Sequence, residues 1–260
     1  MQNMYVSQNR WLLSAKLTAE AEVLLFCFHY AGGHAGIYRD WQKKLPAQVG
    51  VCPVQLPGRS NRFLEPCYTD LSVMIRELAE ALLPHLNRPF AFFGHSMGAL
   101  VSFELARYLR RYSLKPQHMF VAGYHAPHLP DPGEAIHHLP DRDFLEGVRA
   151  MNGTPQELFE NEEVLMMLLP TLRADFTICE TYRYQDEQAL ECGLTAIGGL
   201  QDPDITLTHI EGWREHTSAS FQAHMLEGDH FFIHSEQDQL LSMIGSTLQN
   251  YLSGYRRVTG

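Results

Sequence analysis

The stretch FAFFGHSMGALVSFELARYL, from Phe90 to Leu109, decides how the rest of the chain is read. Its first four residues are apolar, rich in aromatics and preceded by Pro89, the pattern of a short buried strand. From Met97 onward Ala99, Leu100, Phe103, Leu105, Ala106 and Leu109 fall mainly at helical spacing. Glu104, Arg107 and Arg110 are interleaved as an exposed helix face requires. Gly94 and Gly98 flank the junction, so the expectation is strand, abrupt turn, helix. Gly94-His95-Ser96-Met97-Gly98 on that turn matches the G-x-S-x-G nucleophile elbow. The chemistry needs a hydroxyl held clear of the sheet, with an imidazole on one side and an acyl carbon on the other. The N–H groups at the helix start then face a developing oxyanion. Five-residue matches also arise by chance; the strand before and the helix after favour function here.

Working outward, strands and helices alternate. VLLFCFH (Val23 to His29) reads as a strand ending in the glycine-rich turn YAGGHAG, Tyr30 to Gly36. IYRDWQKKL reads as a helix, and VGVCPVQLPGR as a second strand entering a loop at Pro57-Gly58-Arg59. DLSVMIRELAEALLPHL is a helix with Asp70 or Ser72 as its cap. HMFVAGYHAP, His118 to Pro127, follows the elbow helix as another strand. The alternation predicts an α/β fold, a mostly parallel sheet flanked by helices on both faces. Between about Pro130 and Glu191 the rhythm breaks. FLEGVRAM and PQELFENEEVLMMLLPTLRADFTICETY look helical with no strand between them, which suggests a helical lid over the end of the sheet. Strands resume at LTAIGGL (Leu194 to Leu200) and FQAHMLEG (Phe221 to Gly228). SEQDQLLSMIGSTLQNYL closes the fold with Ser235 as its cap, and SGYRRVTG is a frayed end. A single domain over residues 1–260 is expected.

Composition narrows the function classes. The chain has 260 residues, of which 45% are hydrophobic, enough to bury a full core. A formal net charge of −10 argues against a nucleic-acid or anionic-membrane surface. Five scattered cysteines, Cys27, Cys52, Cys67, Cys179 and Cys192, show no close pair and no metal-ligand spacing. They suit a reducing compartment. No apolar run approaches membrane-spanning length, and the N-terminus lacks the basic-then-apolar order of a secretory leader. A cytoplasmic monomer without a metal or bound cofactor is the expectation.

A serine hydroxyl is a weak nucleophile unless a base takes its proton. In this motif class the acid and then the histidine follow in chain order, each after a late strand. Among 14 histidines, His230 is singled out because MLEGDHFFIHSEQ places it after a strand and before the last helix. His234 is its nearest rival; His209, His216 and His224 sit inside an expected helix or strand. His95 lies within the elbow, but its side chain should point away from the hydroxyl. For the acid, Asp202 leaves its strand directly and is followed by Pro203, with Asp204 as the competitor. Asp-Pro is also an ordinary turn signal. Asp229 adjoins His230 too closely to reach around to Nδ1. The backbone N–H groups of Ala31, in the turn after the first strand, and of Met97 are the expected oxyanion donors. That glycine-rich turn contains neither G-x-G-x-x-G nor Gly-Lys-Ser/Thr, which removes the nucleotide reading.

Taken in order, these segments resemble the stand-alone, or type II, thioesterases of nonribosomal peptide and polyketide synthetase systems. FHYAGGHAGIYRDW resembles that family's Pro-His-Ala-Gly-Gly segment, with Tyr30 as a departure, and VQLPGRSNRFLEP resembles its Pro-Gly-Arg segment. FGHSMGALVSFELAR is similar to its elbow, YHAPHLP to its lid entry and LLPTLRADFTICETYRY to its lid helix. GGLQDPDI and EGWREHTSASFQAHMLEGDHFF resemble its acid loop and terminal Gly-Asp-His. The resemblance implies an α/β-hydrolase fold with Ser96 as nucleophile, Asp202 as acid and His230 as base. It also implies acyl groups on the phosphopantetheine of carrier proteins as substrates, an editing role, and no cofactor of the enzyme's own. A carboxylesterase or lipase with the same triad is the alternative, and a non-catalytic acyl-binding module is a more distant one. Arg107, Arg110, Arg111 and Lys115 after the elbow helix could dock an acidic carrier or simply complement the helix dipole.

Overall fold

The computed structural model describes residues 9–13, 21–151 and 162–259. Its sheet runs, from one edge to the other, through β2 (Val49–Pro53), β1 (Val23–Phe28), β3 (Phe90–His95), β4 (His118–Ala122), β5 (Gly193–Gly199) and β6 (Phe221–Leu226), and every neighbouring pair is parallel. Parallel strands with helices on both faces have no wet side, which is why β1 reads as an uninterrupted apolar run. Leu24, Phe26 and Phe28 point into the layer of α2 (Leu71–Leu82) and α3 (Met97–Leu109). Val23, Leu25 and Cys27 point into the layer of α1 (Trp41–Lys44) and the long C-terminal helix. The first layer is keyed by edge-to-face rings, Phe26 to Phe92 at 6.1 Å and Phe28 to Phe92 at 5.4 Å. Asp70 is the α2 cap, its carboxylate accepting the N–H groups of Ser72 and Val73 at 2.8 and 3.2 Å.

The strand order places a crevice where the chemistry is expected. From β1 the chain steps to β2 on one side and then to β3 on the other, a topological switch point. The loops leaving the C-terminal ends of β1 and β3 therefore diverge and leave space between them.

Several elements differ from their sequence expectation. IYRDWQKKL forms two short pieces, a 3-10 turn at Ala35–Tyr38 and the single turn of α1. The bend lets both Tyr38 and Trp41 pack on Phe93, at 6.0 and 4.9 Å. The expected exposed face of α3 is covered: all its residues but Glu104 and Tyr108 are buried. Arg107 pairs with Glu104 and Glu187 and donates to the Gln185 carbonyl, while Tyr182 donates to Glu104. Arg110 also faces Glu187, and Lys115 meets Glu191 at 3.0 Å. These three cations hold the segment returning from the insertion, while Arg111 lies exposed over the Tyr108 ring. At the C-terminus Ser235 ends a one-turn helix, α7 (Phe232–Ser235), and caps nothing. The long helix, α8 (Gln237–Thr259), continues through the expected frayed end. Leu240, Leu241, Ile244, Leu248 and Leu252 bury its stripe against the sheet.

Between β4 and β5 the described residues contain α4 (Asp141–Ala150) and α5 (Glu162–Thr181) and no strand. The earlier part of the helix expected from Pro155 falls outside the described residues. Phe144 and Val148 of α4 pack on Leu169 and Leu172 of α5 in a small core of their own. The five cysteines are free thiols. Among the described residues no helix is long and apolar enough to cross a membrane, and no group of His, Cys, Asp and Glu could hold a metal ion.

Candidate active site

Ser96 stands between β3 and α3 at φ 54°, ψ −122°, a backbone conformation that L-residues seldom occupy. Such strain costs about 1–3 kcal/mol and persists only where the surroundings enforce it. Enforcement comes from the Ser96 N–H, bonded to the Ala122 carbonyl at 2.7 Å, and from crowding at the two glycines. A Cβ on Gly94 would lie 2.1 Å from the Gly98 carbonyl oxygen, and one on Gly98 would lie 2.0 Å from that of Phe28. Strand and helix are in backbone contact there, so only glycine fits.

The structure brings the three expected side chains into one line. His230 Nε2 lies 3.1 Å from Ser96 Oγ, and Nδ1–H donates to Asp202 Oδ2 at 2.7 Å. The Asp202 side chain is fully enclosed, and its other oxygen accepts the N–H groups of Asp204 and Ile205 at 3.0 and 3.1 Å. Burial pushes the Asp202 carboxyl up, but the His230 bond and charge and the two amides outweigh it and hold the group below its ordinary value. Asp202 thus remains an anion that fixes the imidazole tautomer. Asp204 is exposed and reaches this centre through its backbone N–H. Asp229 accepts from the Phe231 N–H at 2.8 Å.

The rival histidines are engaged elsewhere. His234 pairs with the Tyr30 hydroxyl at 3.0 Å, His216 with His128 at 2.8 Å, and His209 closes a capping box with Thr206 at the start of α6 (Leu207–Glu211). His95 points away from the hydroxyl, as expected, but has a role that sequence reasoning missed. Its Nε2–H donates to the His230 carbonyl at 2.9 Å, so the residue before Ser96 holds the backbone of the histidine beside it. Burial, and after it the charge of His230, keeps the His95 pKa well below the usual histidine value.

Ala31 and Ser96 line one cavity of ≈ 160 Å³, and Met97 opens α3 directly after Ser96, where helix N–H groups lack intrahelical partners. The loop bearing Ala31 is held from outside itself. Gly32, at φ +72°, donates its N–H to Asp175 Oδ2 of α5 at 2.8 Å. Arg59 grips the same carboxylate with two bonds of 2.6 and 2.8 Å and also reaches the Gly33 carbonyl at 3.3 Å. Both charged side chains are almost fully buried, 6% and 2% exposed. Burial lowers the Arg59 pKa, but Asp175 outweighs it and leaves the guanidinium more firmly protonated. Burial, and then the Arg59 charge, pushes neighbouring His29 down to about 3, so it is neutral. The signal for Asp175 was a lone carboxylate in the apolar run LLPTLRADFTI. Nothing local named its partner. Val148, Leu172 and Phe176 of the insertion and Tyr124 complete the apolar wall of the cavity.

An alcohol hydrogen-bonded to a carboxylate-anchored imidazole, beside an apolar cavity, can carry out acyl transfer. The thioesterase domain model matches residues 24–248. The linear gramicidin dehydrogenase LgrE of Brevibacillus parabrevis is 78% identical over 99% of this chain and 100% of its own length. The gramicidin S biosynthesis protein GrsT of Aneurinibacillus migulanus is 41% identical over 96% of this chain and 98% of its own. Among solved structures, the thioesterase RedJ from the prodiginine pathway of Streptomyces coelicolor superposes with a TM-score of 0.82 at 38% identity. That match covers 88% of this chain and 91% of RedJ.

Proposed function

The chain belongs to the thioesterase domain family, and from that premise we propose that it clears stalled or wrongly primed acyl groups from the phosphopantetheine arms of carrier proteins in nonribosomal peptide or polyketide synthesis. It is a thioester hydrolase of the α/β-hydrolase fold. The observation that carries the proposal is the Ser96–His230–Asp202 line opening on an acyl-sized apolar cavity under the helical insertion. Relatives named for gramicidin S and prodiginine biosynthesis supply the biological setting.

In this reading Ser96 Oγ attacks the thioester carbonyl while His230 Nε2 takes its proton. The oxyanion is received by the N–H groups of Ala31 and Met97. Collapse expels the pantetheine sulfur, which leaves with the proton held by His230 and gives an acyl-Ser96 ester. His230 then deprotonates a water that attacks this ester, and the acid leaves as Ser96 regains its proton. Asp202 stays ionised throughout and stabilises the imidazolium. The insertion acts as the lid over the acyl group. The enzyme works as a cytoplasmic monomer and needs no cofactor, since the pantetheine arrives with the substrate.

The dehydrogenase name of the 78% identical relative motivates a second arm in the test. A nicotinamide reaction would call for a phosphate-binding turn, and the one after β1 reads Ala-Gly-Gly-His-Ala-Gly, without the G-x-G-x-x-G spacing. The experiment compares one acyl group on a carrier protein, on coenzyme A and on p-nitrophenol, alongside NADPH oxidation with the matching aldehyde. Carrier contacts remote from the thioester should raise kcat/KM at least ~10-fold over the coenzyme A thioester, about 1.4 kcal/mol. Equal efficiency with faster cleavage of the oxygen ester would make the protein an esterase, and NADPH-dependent turnover alone would make it a reductase.

A further inference from the structure

Arg59 of the Pro-Gly-Arg loop and Asp175 of the insertion lie 116 positions apart in the chain and meet as a buried, doubly bonded ion pair. Neither touches Ser96 or His230. A pair of this kind is a poor stabiliser, because desolvating two charges offsets most of their attraction and apolar residues of similar volume often serve as well. Its geometry suggests another purpose. One Asp175 oxygen accepts the N–H of Gly32, the residue after Ala31, and Arg59 donates to the carbonyl of Gly33. The loop is therefore clamped at the first and third peptide groups that follow Ala31, and the one between them donates its Gly33 N–H to the Tyr30 carbonyl at 2.9 Å. Gly32 is held at φ +72°, and a Cβ there would lie 2.5 Å from Leu172 of the same insertion helix. The Ala31 N–H shares its peptide with the Tyr30 carbonyl, which accepts from Gly33 N–H and His29 Nδ1 at 2.9 Å, so the outside contacts reach it through Gly32 and Gly33.

We infer that Arg59 and Asp175 are positioning residues that set the Ala31 N–H for the oxyanion by fixing Gly32 and Gly33, so that the second half of the oxyanion hole is completed by the insertion together with its own loop. The inference rests on Ala31 being an oxyanion donor in the proposed thioester hydrolysis. It also explains why α5 cannot lift at Asp175 without releasing Gly32, which makes this part of the insertion a fixed wall of the site.

The test is the double variant Arg59→Met/Asp175→Leu, which removes both charges at similar volume and leaves Gly32 N–H without its acceptor. Asp175→Asn, which keeps one oxygen for Gly32, is the rescue. Circular dichroism and thermal melting establish folding. Loss of one oxyanion donor costs roughly 10²–10³ in turnover, and a misdirected one should cost about 10–100-fold in kcat, with KM changed less than about 3-fold. Affinity for a trifluoromethyl ketone, whose hemiketal oxyanion uses the same donors, should fall by the same factor. The pH profile should be unmoved, since the Ser96–His230–Asp202 line is untouched. Asp175→Asn, which keeps an oxygen for Gly32 but loses the charge that holds Arg59, should lose less than the double variant, about 3–10-fold in both. A folded double variant with kcat within about 2-fold of the parent overturns the inference, as does a loss of turnover without a parallel loss of ketone affinity. Should the double variant not fold, Asp175→Asn alone decides: its kcat and ketone affinity must fall together. Wild-type cleavage of the acyl-carrier thioester separates the two readings. If it is present while the variants match the parent, only the positioning role fails; if it is absent, the proposed function fails with it.

Discussion

The two sides of the cavity that flank the expected oxyanion are built by opposite means. On the elbow side, Ser96 is fixed within the sheet layer: a strand end, a helix start, two glycines in backbone contact and the Ala122 carbonyl on the Ser96 N–H leave one conformation. On the other side, the loop after β1 turns on itself at the Tyr30 carbonyl, which accepts the Gly33 N–H at 2.9 Å, and is then tied from outside. Its peptides are tied to Asp175 and Arg59, which come from the insertion and from the loop after β2. A site half self-contained and half borrowed should fail in two ways. Changes at the elbow line should act directly on the chemistry, while changes on the borrowed side should act through geometry and cost less.

The sharpest break is expected at the nucleophile. Ser96→Ala should fold normally and lose at least about three orders of magnitude in turnover, since donors alone retain only modest catalysis. A folded variant with near-native turnover on an acyl thioester would dissolve the distinction between the two sides.

The acid loop offers the next test, because two aspartates two positions apart are treated differently by the structure. Asp202→Asn should lower kcat by about 10²–10⁴ by spoiling the tautomer and the imidazolium partner. Asp204 lines the cavity but meets the triad through its backbone N–H, which the isosteric Asp204→Asn keeps, so that variant should stay within about 2-fold. Steady-state rates on one substrate check both, and a reversed order would move the acid to Asp204.

A smaller loss than at Asp202 is assigned to His95, which belongs to the elbow but acts on the histidine loop. His95→Gln retains an N–H donor for the His230 carbonyl, so turnover should fall only a few-fold, and His95→Phe should fall further, about 10-fold. The same residue links stability to pH. Its folded pKa lies below the ordinary histidine value, so below about pH 6.5 the unfolded chain binds a proton that the folded chain refuses. Stability is therefore lost as pH falls below that point, and His95→Gln should reduce the fall in melting temperature between pH 7 and pH 5 without abolishing it, since His29, His118 and His216, whose pKa values burial also lowers, share the same linkage. An unchanged slope would mean that His95 titrates in the folded protein.

The elbow, the triad candidates and the strand order's parallel character were legible because each is encoded locally. Apolar runs of strand length, helical spacing and glycines two before and two after a serine act over a few residues. His230 and Asp202 were reachable because each follows a late strand. Burial of the α3 face was not legible: Arg107 looks like a solvated charge until the 182–188 segment is laid over it. IYRDWQKKL likewise kept its helical pattern on paper, yet seating Tyr38 and Trp41 on Phe93 broke it in two. Ser235 looked like a cap because the single turn of α7 could not be distinguished from the loop before it.

The sequence by itself determined the α/β alternation, the position of Ser96 and the shortlist for its partners, because periodicity and turn chemistry are properties of neighbouring residues. Only the tertiary structure decided that Asp175 meets Arg59 against Gly32 and that His95 holds the carbonyl of His230. Those choices depend on which distant polar groups packing excludes from water together. A buried charge or imidazole must find its partner in space, and its partner's place in the chain leaves no mark beside it.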